Sequence, residues 1–299
     1  MSLFSRLLVL SLPLVPKFIV GRVASRYVAG STRAEALETV RRLNAAGAMA
    51  TLDVLGEEVT ERAKAEASAR EYAEVLGDIA SQRLDSNVSI KLTMLGLKID
   101  HDFCRANVER IVKAAQEHGN FVRIDMEDYT TTDATLAIYS ELQARYGNVG
   151  VVLQAYMRRT LADIAALPEK GANIRICKGI YIEPREVAWK GYDTVRSAFV
   201  QALEKLLTRG VYVGIATHDE YLVCAATGLL DRLGVPRERY EFQMLLGVDE
   251  PLRKLLIARG HRLRVYVPYG EDWYAYSIRR LRENPEVAKH VVKAFLSRS

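Results

Sequence analysis

The chain has 299 residues, 49% of them hydrophobic and 26% charged, with 42 Lys and Arg against 37 Asp and Glu. That balance excludes a disordered or fibrous protein, and the length fits two small domains or one α/β barrel of about 250 residues with some decoration. Three cysteines without CxxC spacing argue against a disulfide framework or zinc site and for a reducing compartment, and a net charge of +5 is spread too thinly to speak for nucleic acid.

At the N-terminus, LLVLSLPLVP at residues 7–16 is broken by Pro13 and falls short of the roughly 18–20 residues a spanning helix needs. Arg6 precedes it but no good small-residue cleavage site follows, so it reads as an exposed apolar arm docking on the body or on lipid. Residues 1–47 are expected to be a helical arm, not an independent domain, with RAEALETVRRLNAAG its clearest helix. No Pro/Ser-rich linker follows, so residues 48–299 are expected to form the body.

From there, short β-rich runs alternate with charged amphipathic stretches. The runs are AMATLDVL (48–55), VSIKLT (88–93), FVRIDM (121–126), VGVVLQ (149–154), NIRICK (173–178), VYVGIAT (211–217), YEFQML (240–245) and LRVYVP (263–268). Helical spacing marks segments between them, such as TDATLAIYSELQARYG and DTVRSAFVQALEKLLTRG, the latter stopped by Gly210. Eight such units in about 250 residues predict parallel βαβ connections closing into a (β/α)8 barrel. An open doubly wound sheet is the alternative, but no GxG and no GxxxxGKS/T signals Rossmann or P-loop phosphate binding.

In a barrel of this kind chemistry gathers at the C-terminal strand ends. Polar residues fall there repeatedly: Glu57 past the first strand, Lys91 in the second, Asp125 and Glu127 at the third, Gln154 at the fourth. The fifth offers Arg175 and Lys178, the sixth Thr217 and His218, the eighth Tyr266. One charge in a buried strand is ordinarily a structural ion pair, because an unpaired one is costly. Seven strands delivering polar groups to one end imply a polar ligand. In EDWYAYSIRRLREN, Tyr276, Arg279, Arg280 and Glu283 share one helical face, which alone fits a solvated helix with an Arg–Glu pair. Adjacent arginines also make a fork that matches a carboxylate bidentately.

His101, His118, His218, His261 and His290 lack HxxxH or HExxH spacing, so no metal site is expected. Only His218 falls at the barrel mouth, and Cys177 is expected to pack outward from the fifth strand. From the residues alone, Lys91 or Lys178 as a Schiff-base lysine is the rival chemistry, and a non-enzymatic amino-acid sensor is the other alternative.

The motifs SIKLTMLG, the DxE of DMED, VVLQAYMRRT, RICKGIYIEP, ATHD, YEFQMLLGV, RVYVPYG and AYSIRRLREN resemble the ordered set of the flavin-dependent proline dehydrogenases, from about residue 33 to 290. The length is similar to that of monofunctional bacterial members rather than the long bifunctional proline-utilisation proteins. The resemblance implies a distorted (β/α)8 TIM-type barrel whose last helix lies over the mouth. It implies oxidation of L-proline to Δ1-pyrroline-5-carboxylate, the first step of proline catabolism, by hydride transfer to N5 of a non-covalent FAD, with electrons passing on to membrane quinone.

Carried over residue by residue, the resemblance implies that Arg279 and Arg280 bind the proline carboxylate. Lys91, Asp125, Tyr181, Leu245, Tyr266 and Tyr276 would line the substrate pocket. Gln154, Arg175, Lys178, Gly179, Thr217, His218 and Glu283 would contact FAD, with Arg175 near N5, and Arg175, Lys91 and Tyr266 would be the catalytic set. Glu57 would pair with Arg279 as a gate. Tyr266 matches a position where hydroxyproline dehydrogenases carry a smaller residue. Ile180 departs from the usual alanine, and Ile182 stands where some members have tryptophan against the flavin. A cytoplasmic protein is implied, the apolar arm and basic balance suiting peripheral contact with the inner face of the cell membrane. No oligomeric state is indicated.

Overall fold

In the computed structural model, which describes residues 26–168, 171–274 and 277, all eight β-rich runs are strands. They are β1 (Met49–Val54), β2 (Ser86–Ile90), β3 (Val122–Ile124), β4 (Val149–Gln154), β5 (Asn173–Cys177), β6 (Tyr212–Ala216), β7 (Tyr240–Leu245) and β8 (Leu263–Tyr269). Each pairs in parallel with the next and β8 pairs back onto β1, closing a barrel in sequence order. Helix α1 (Arg33–Ala45) precedes β1. Seven more connect the strands: α2 (Arg62–Ser81), α3 (His101–Glu117), α4 (Thr132–Tyr146), α5 (Thr160–Ala166), α6 (Tyr192–Thr208), α7 (Glu220–Arg232) and α8 (Glu250–Ala258). The apolar arm at residues 7–20 and the residues Tyr276, Arg279, Arg280 and Glu283 lie outside the described residues.

Strand limits differ from the sequence expectation in ways that move the polar residues. β2 ends at Ile90 because the chain turns at Leu92, whose carbonyl accepts from both Leu95 N and Leu97 N. Lys91 therefore stands just past the strand rather than inside it. β3 is only three residues long, which leaves Asp125 and Glu127 in the loop that follows. β8 continues to Tyr269 because Pro268 and Tyr269 pair with Asp53 and Val54, so Tyr266 lies mid-strand instead of ending it.

Parallel strands are buried on both sides, and the apolar side of each here packs against the surrounding helices. Leu52, Val88, Ile90, Val122, Ile124, Val151, Ile174, Val213, Phe242 and Val265 all belong to one continuous core. Helix α1 shows how the outer layer is specified. Thr32 and Glu35 form a reciprocal capping box, and Ala36, Leu37, Val40 and Leu43 make the buried stripe. That stripe sits on β1 and β8, over the seam that closes the barrel. Arg33 fastens α1 to α2 through Glu74 (2.6 Å) and Asp78 (2.8 Å).

The barrel interior is charged. At its lower level Arg264 on β8 makes a two-point contact with Glu241 on β7, Nε to Oε1 at 2.8 Å and Nη2 to Oε2 at 3.1 Å. Burial works against ionisation of Glu241, but Arg264 overrides it and holds the carboxyl down to about 2. Among the described residues, no helix is long and apolar enough to cross a membrane.

Candidate active site

A cavity of about 500 Å³ opens at the C-terminal ends of the strands, within the usual range for small-molecule sites. Its floor is one hydrogen-bonded cluster drawn from five of the strands and the turns that follow them. Lys91 Nζ lies 2.6 Å from Asp53 Oδ1 and 3.3 Å from the Tyr266 hydroxyl. Tyr266 donates to Asp125 Oδ2 at 2.8 Å, and Arg175 Nη1 donates to Asp125 Oδ1 at 2.6 Å. Ser89 Oγ also donates to Asp125 Oδ1, at 2.7 Å.

The charges in this cluster fix one another. Burial opposes the ammonium of Lys91, yet Asp53 and Asp125 more than offset it and raise its pKa above the ordinary lysine value. Burial likewise opposes ionisation of Asp125, but Arg175 and Lys91 prevail and lower its pKa. Lys91 is thus held as a cation, whereas a Schiff-base lysine must give up its proton to react. Lys178 is engaged as well, 3.3 Å from Asp219 Oδ2.

The cavity walls carry the remaining polar groups. Asp219 caps α7 through Tyr221 N and receives Arg196 at 2.7 Å and the Tyr192 hydroxyl at 3.0 Å. His218 Nε2 accepts from Leu245 N at 2.8 Å, so the proton of the neutral ring sits on Nδ1. Gln154 donates through Nε2 to the carbonyls of Met126 and Glu127. Its Oε1 is buried and has no partner among the described residues, which leaves an acceptor that a ligand N–H would satisfy.

Every described residue that the sequence singled out as a substrate or cofactor contact borders this cavity: Lys91, Asp125, Gln154, Arg175, Lys178 and Gly179, then Tyr181, Thr217, His218, Leu245 and Tyr266. Glu57 stands back from it, half-buried, though its charge acts on both Lys91 and Glu127. Cys177 contradicts the expectation of outward packing: it borders the cavity. The period of two along β5 puts residues 175 and 177 on the same side. Burial pushes its thiol up to about 11, which makes it a wall rather than a nucleophile.

Sequence reasoning missed Asp53, Ser89, Gln243 and Asp219. Asp53 was visible as a charge inside the apolar run MATLDV, and Gln243 shares the inward period of Glu241 and Leu245. Neither position names its partner: Lys91, just past β2, for Asp53, and Arg175, on β5, for Gln243.

Comparison with known proteins adds a second line. The family model for proline dehydrogenase matches residues 36–293. The chain is 36% identical over 275 residues to proline dehydrogenase 1 of Bacillus subtilis subsp. natto, covering 92% of this chain and 91% of that one. It is 37% identical over 279 residues to the proline dehydrogenase of Deinococcus radiodurans, covering 92% and 90%. Its fold superposes with a TM-score of 0.83 and 25% identity on proline utilization A from Bdellovibrio bacteriovorus inactivated by N-propargylglycine. That match takes in 88% of this chain but only 32% of the larger protein, about a third of its length.

Proposed function

The chain belongs to the proline dehydrogenase family, and on that premise we propose that it oxidises L-proline to Δ1-pyrroline-5-carboxylate with non-covalent FAD and passes the electrons to membrane quinone. The observation that carries this reading is the cluster of Lys91, Asp125, Arg175 and Tyr266 on the floor of a cavity whose wall holds an unsatisfied Gln154 acceptor. A flavin ring offers an N–H donor of the kind that acceptor needs, so the residues fit the cofactor. Gln154, Arg175, Lys178, Gly179, Thr217 and His218 would hold it, with Glu283 joining from the last segment. When bound, FAD supplies the hydride acceptor.

The chain's own groups prepare the substrate. Arg279 and Arg280 bind its carboxylate, and their forked geometry fixes the imino-acid ring in one orientation. The ring nitrogen must be neutral before the neighbouring C–H is cleaved. Lys91, held as a cation by Asp53, together with Arg175 disfavours a substrate ammonium and promotes loss of its proton to water. The product then gains its C=N bond as a hydride leaves carbon and the last proton leaves nitrogen. Tyr266, tied to Asp125 and Lys91, presents a rigid wall to the ring carbons. Glu57 pairs with Arg279 between turnovers and releases it to an incoming carboxylate. The protein works in the cytoplasm, with residues 7–20 making peripheral contact with the membrane that carries the quinone; residues 1–47 act as an arm of the barrel at 48–299.

The visible spectrum of the purified protein tests the reading. Flavin bands that bleach on anaerobic addition of L-proline are expected. A colourless protein that takes up no FAD on reconstitution would overturn it.

A further inference from the structure

The lower charged layer of the barrel and the cavity floor are joined by one side chain. Gln243, on β7, donates through Nε2 to Glu241 Oε1 at 2.6 Å and accepts through Oε1 from Arg175 Nε. Glu241 is otherwise filled by Arg264 on both oxygens and by the Tyr212 hydroxyl, which donates to Oε2 at 2.8 Å. A carboxylate only accepts and a guanidinium only donates, so the two neighbours dictate which end of the Gln243 carboxamide faces which. A carboxamide supplies a donor to one and an acceptor to the other without adding charge.

The crossing from β7 to Arg175 on β5 runs over β6 at Gly214, which pairs with both Arg175 and Glu241. A Cβ on residue 214 would stand 2.5 Å from Gln243 Nε2 and 3.6 Å from Arg175 Cα. The missing side chain is what lets the carboxamide reach across. Arg175 is then held at both ends, Nε by Gln243 and Nη1 by Asp125 and Ser89.

We propose that Gln243 is a positioning residue that aims the Arg175 guanidinium at the bound cofactor, with Glu241 and Arg264 as its anchor and Gly214 as its clearance. The inference rests on the FAD reading above. Because Gln243 is neutral, the nearest anion on that side, Glu241, is one carboxamide removed from Arg175. Gln243 thus holds Nε without adding a second carboxylate to the one Asp125 places at Nη1, which leaves Arg175 more positive charge to meet the negative charge that collects on reduction. Ionisation of Glu241 at all working pH values keeps the carboxamide from flipping.

Two variants disturb this relay by different means. Gln243→Met removes the acceptor, and Gly214→Ala removes no polar group but displaces the carboxamide, the movable end of the Gln243 side chain. In both, FAD should stay bound, its midpoint potential should fall, and single-turnover reduction by proline should slow about 10- to 100-fold. The KM for proline should change less than about threefold, since the carboxylate clamp is untouched. A role confined to packing would lower thermal stability and leave the potential where it was. Unchanged potential and reduction rate in flavin-loaded variants would overturn this inference alone, whereas unmodified protein that takes up no FAD would overturn both readings.

Discussion

The Tyr156 ring occupies the space in which a side chain on residue 179 would stand. A Cβ on Gly179 would lie 2.2 Å from ring carbons Cδ1 and Cε1, and Gly179 holds φ at +107°, a region closed to most other residues. Tyr156 is stitched to the same loop by its N to Lys178 O (2.9 Å) and its hydroxyl to Tyr181 O (3.2 Å). The loop after β5 is thereby pressed against the loop after β4, and the cavity wall between Lys178 and Tyr181 takes its shape from that contact. Gly179→Ala should strain the loop by about 1–3 kcal/mol and weaken FAD retention about tenfold or more. Flavin absorbance per mole of purified protein reads the effect, and full occupancy would show that the loop adapts.

A pH dependence follows from Glu127. Burial pushes its carboxyl up to about 6, against the hydrogen bonds it accepts from Thr93. A carboxyl with a folded pKa above its unfolded value binds protons more tightly in the native state. Stability therefore falls as pH rises from about 4.5 to about 6 and stays lower beyond. Glu127→Gln mimics the neutral form and should stabilise the protein by about 2 kcal/mol near pH 8, with no gain near pH 4. Denaturant midpoints at the two pH values check this; an equal gain at both would point to packing instead.

Arg279→Met should raise the apparent KM for proline steeply while FAD remains bound. Loss of a charge-assisted two-point contact costs about 2–4 kcal/mol, or roughly 30- to 1000-fold in kcat/KM. Steady-state kinetics with flavin content measured on the same sample decide it, and a change below about threefold removes Arg279 from the site.

Tyr266 should set the choice of imino acid. Its hydroxyl is engaged by Asp125 at 2.8 Å and Lys91 at 3.3 Å, so the ring cannot swing aside for a larger substrate. A 4-hydroxyl against it would lose its water bonds without gaining replacements. L-Proline should be strongly preferred over trans-4-hydroxy-L-proline, and Tyr266→Ser should narrow the preference mainly by losing proline activity. Equal kcat/KM for the two substrates in the unmodified protein would remove Tyr266 as the discriminator.

The strands were legible because a parallel barrel strand is an apolar run bounded by charge, and the residues past their C-terminal ends were legible as candidates for the same reason. Limits were less so. Nothing in SIKLT announces that the chain turns at Leu92, and Pro268 looks like a stop although β8 carries on through it to pair with β1. Partnerships were least accessible. Lys91 reads as a reactive lysine until Asp53, from the preceding strand, is found 2.6 Å away. Gln243 reads as an ordinary polar residue until Gly214 opens the path to Arg175. Such roles arise from pairings across the barrel, which a linear pattern does not contain.

The seam between β1 and β8 joins residues more than 200 positions apart, and six consecutive pairs, from Met49 with Arg264 to Val54 with Tyr269, close it. Contacts so remote carry the largest loop-closure cost. Asp53 and Tyr266 stand on opposite sides of that seam, and both bind Lys91. Without β8 the floor would keep its Lys91–Asp53 and Arg175–Asp125 contacts but lack Tyr266, the hydroxyl that touches both Lys91 and Asp125, so the cluster is complete only when the last strand closes the seam.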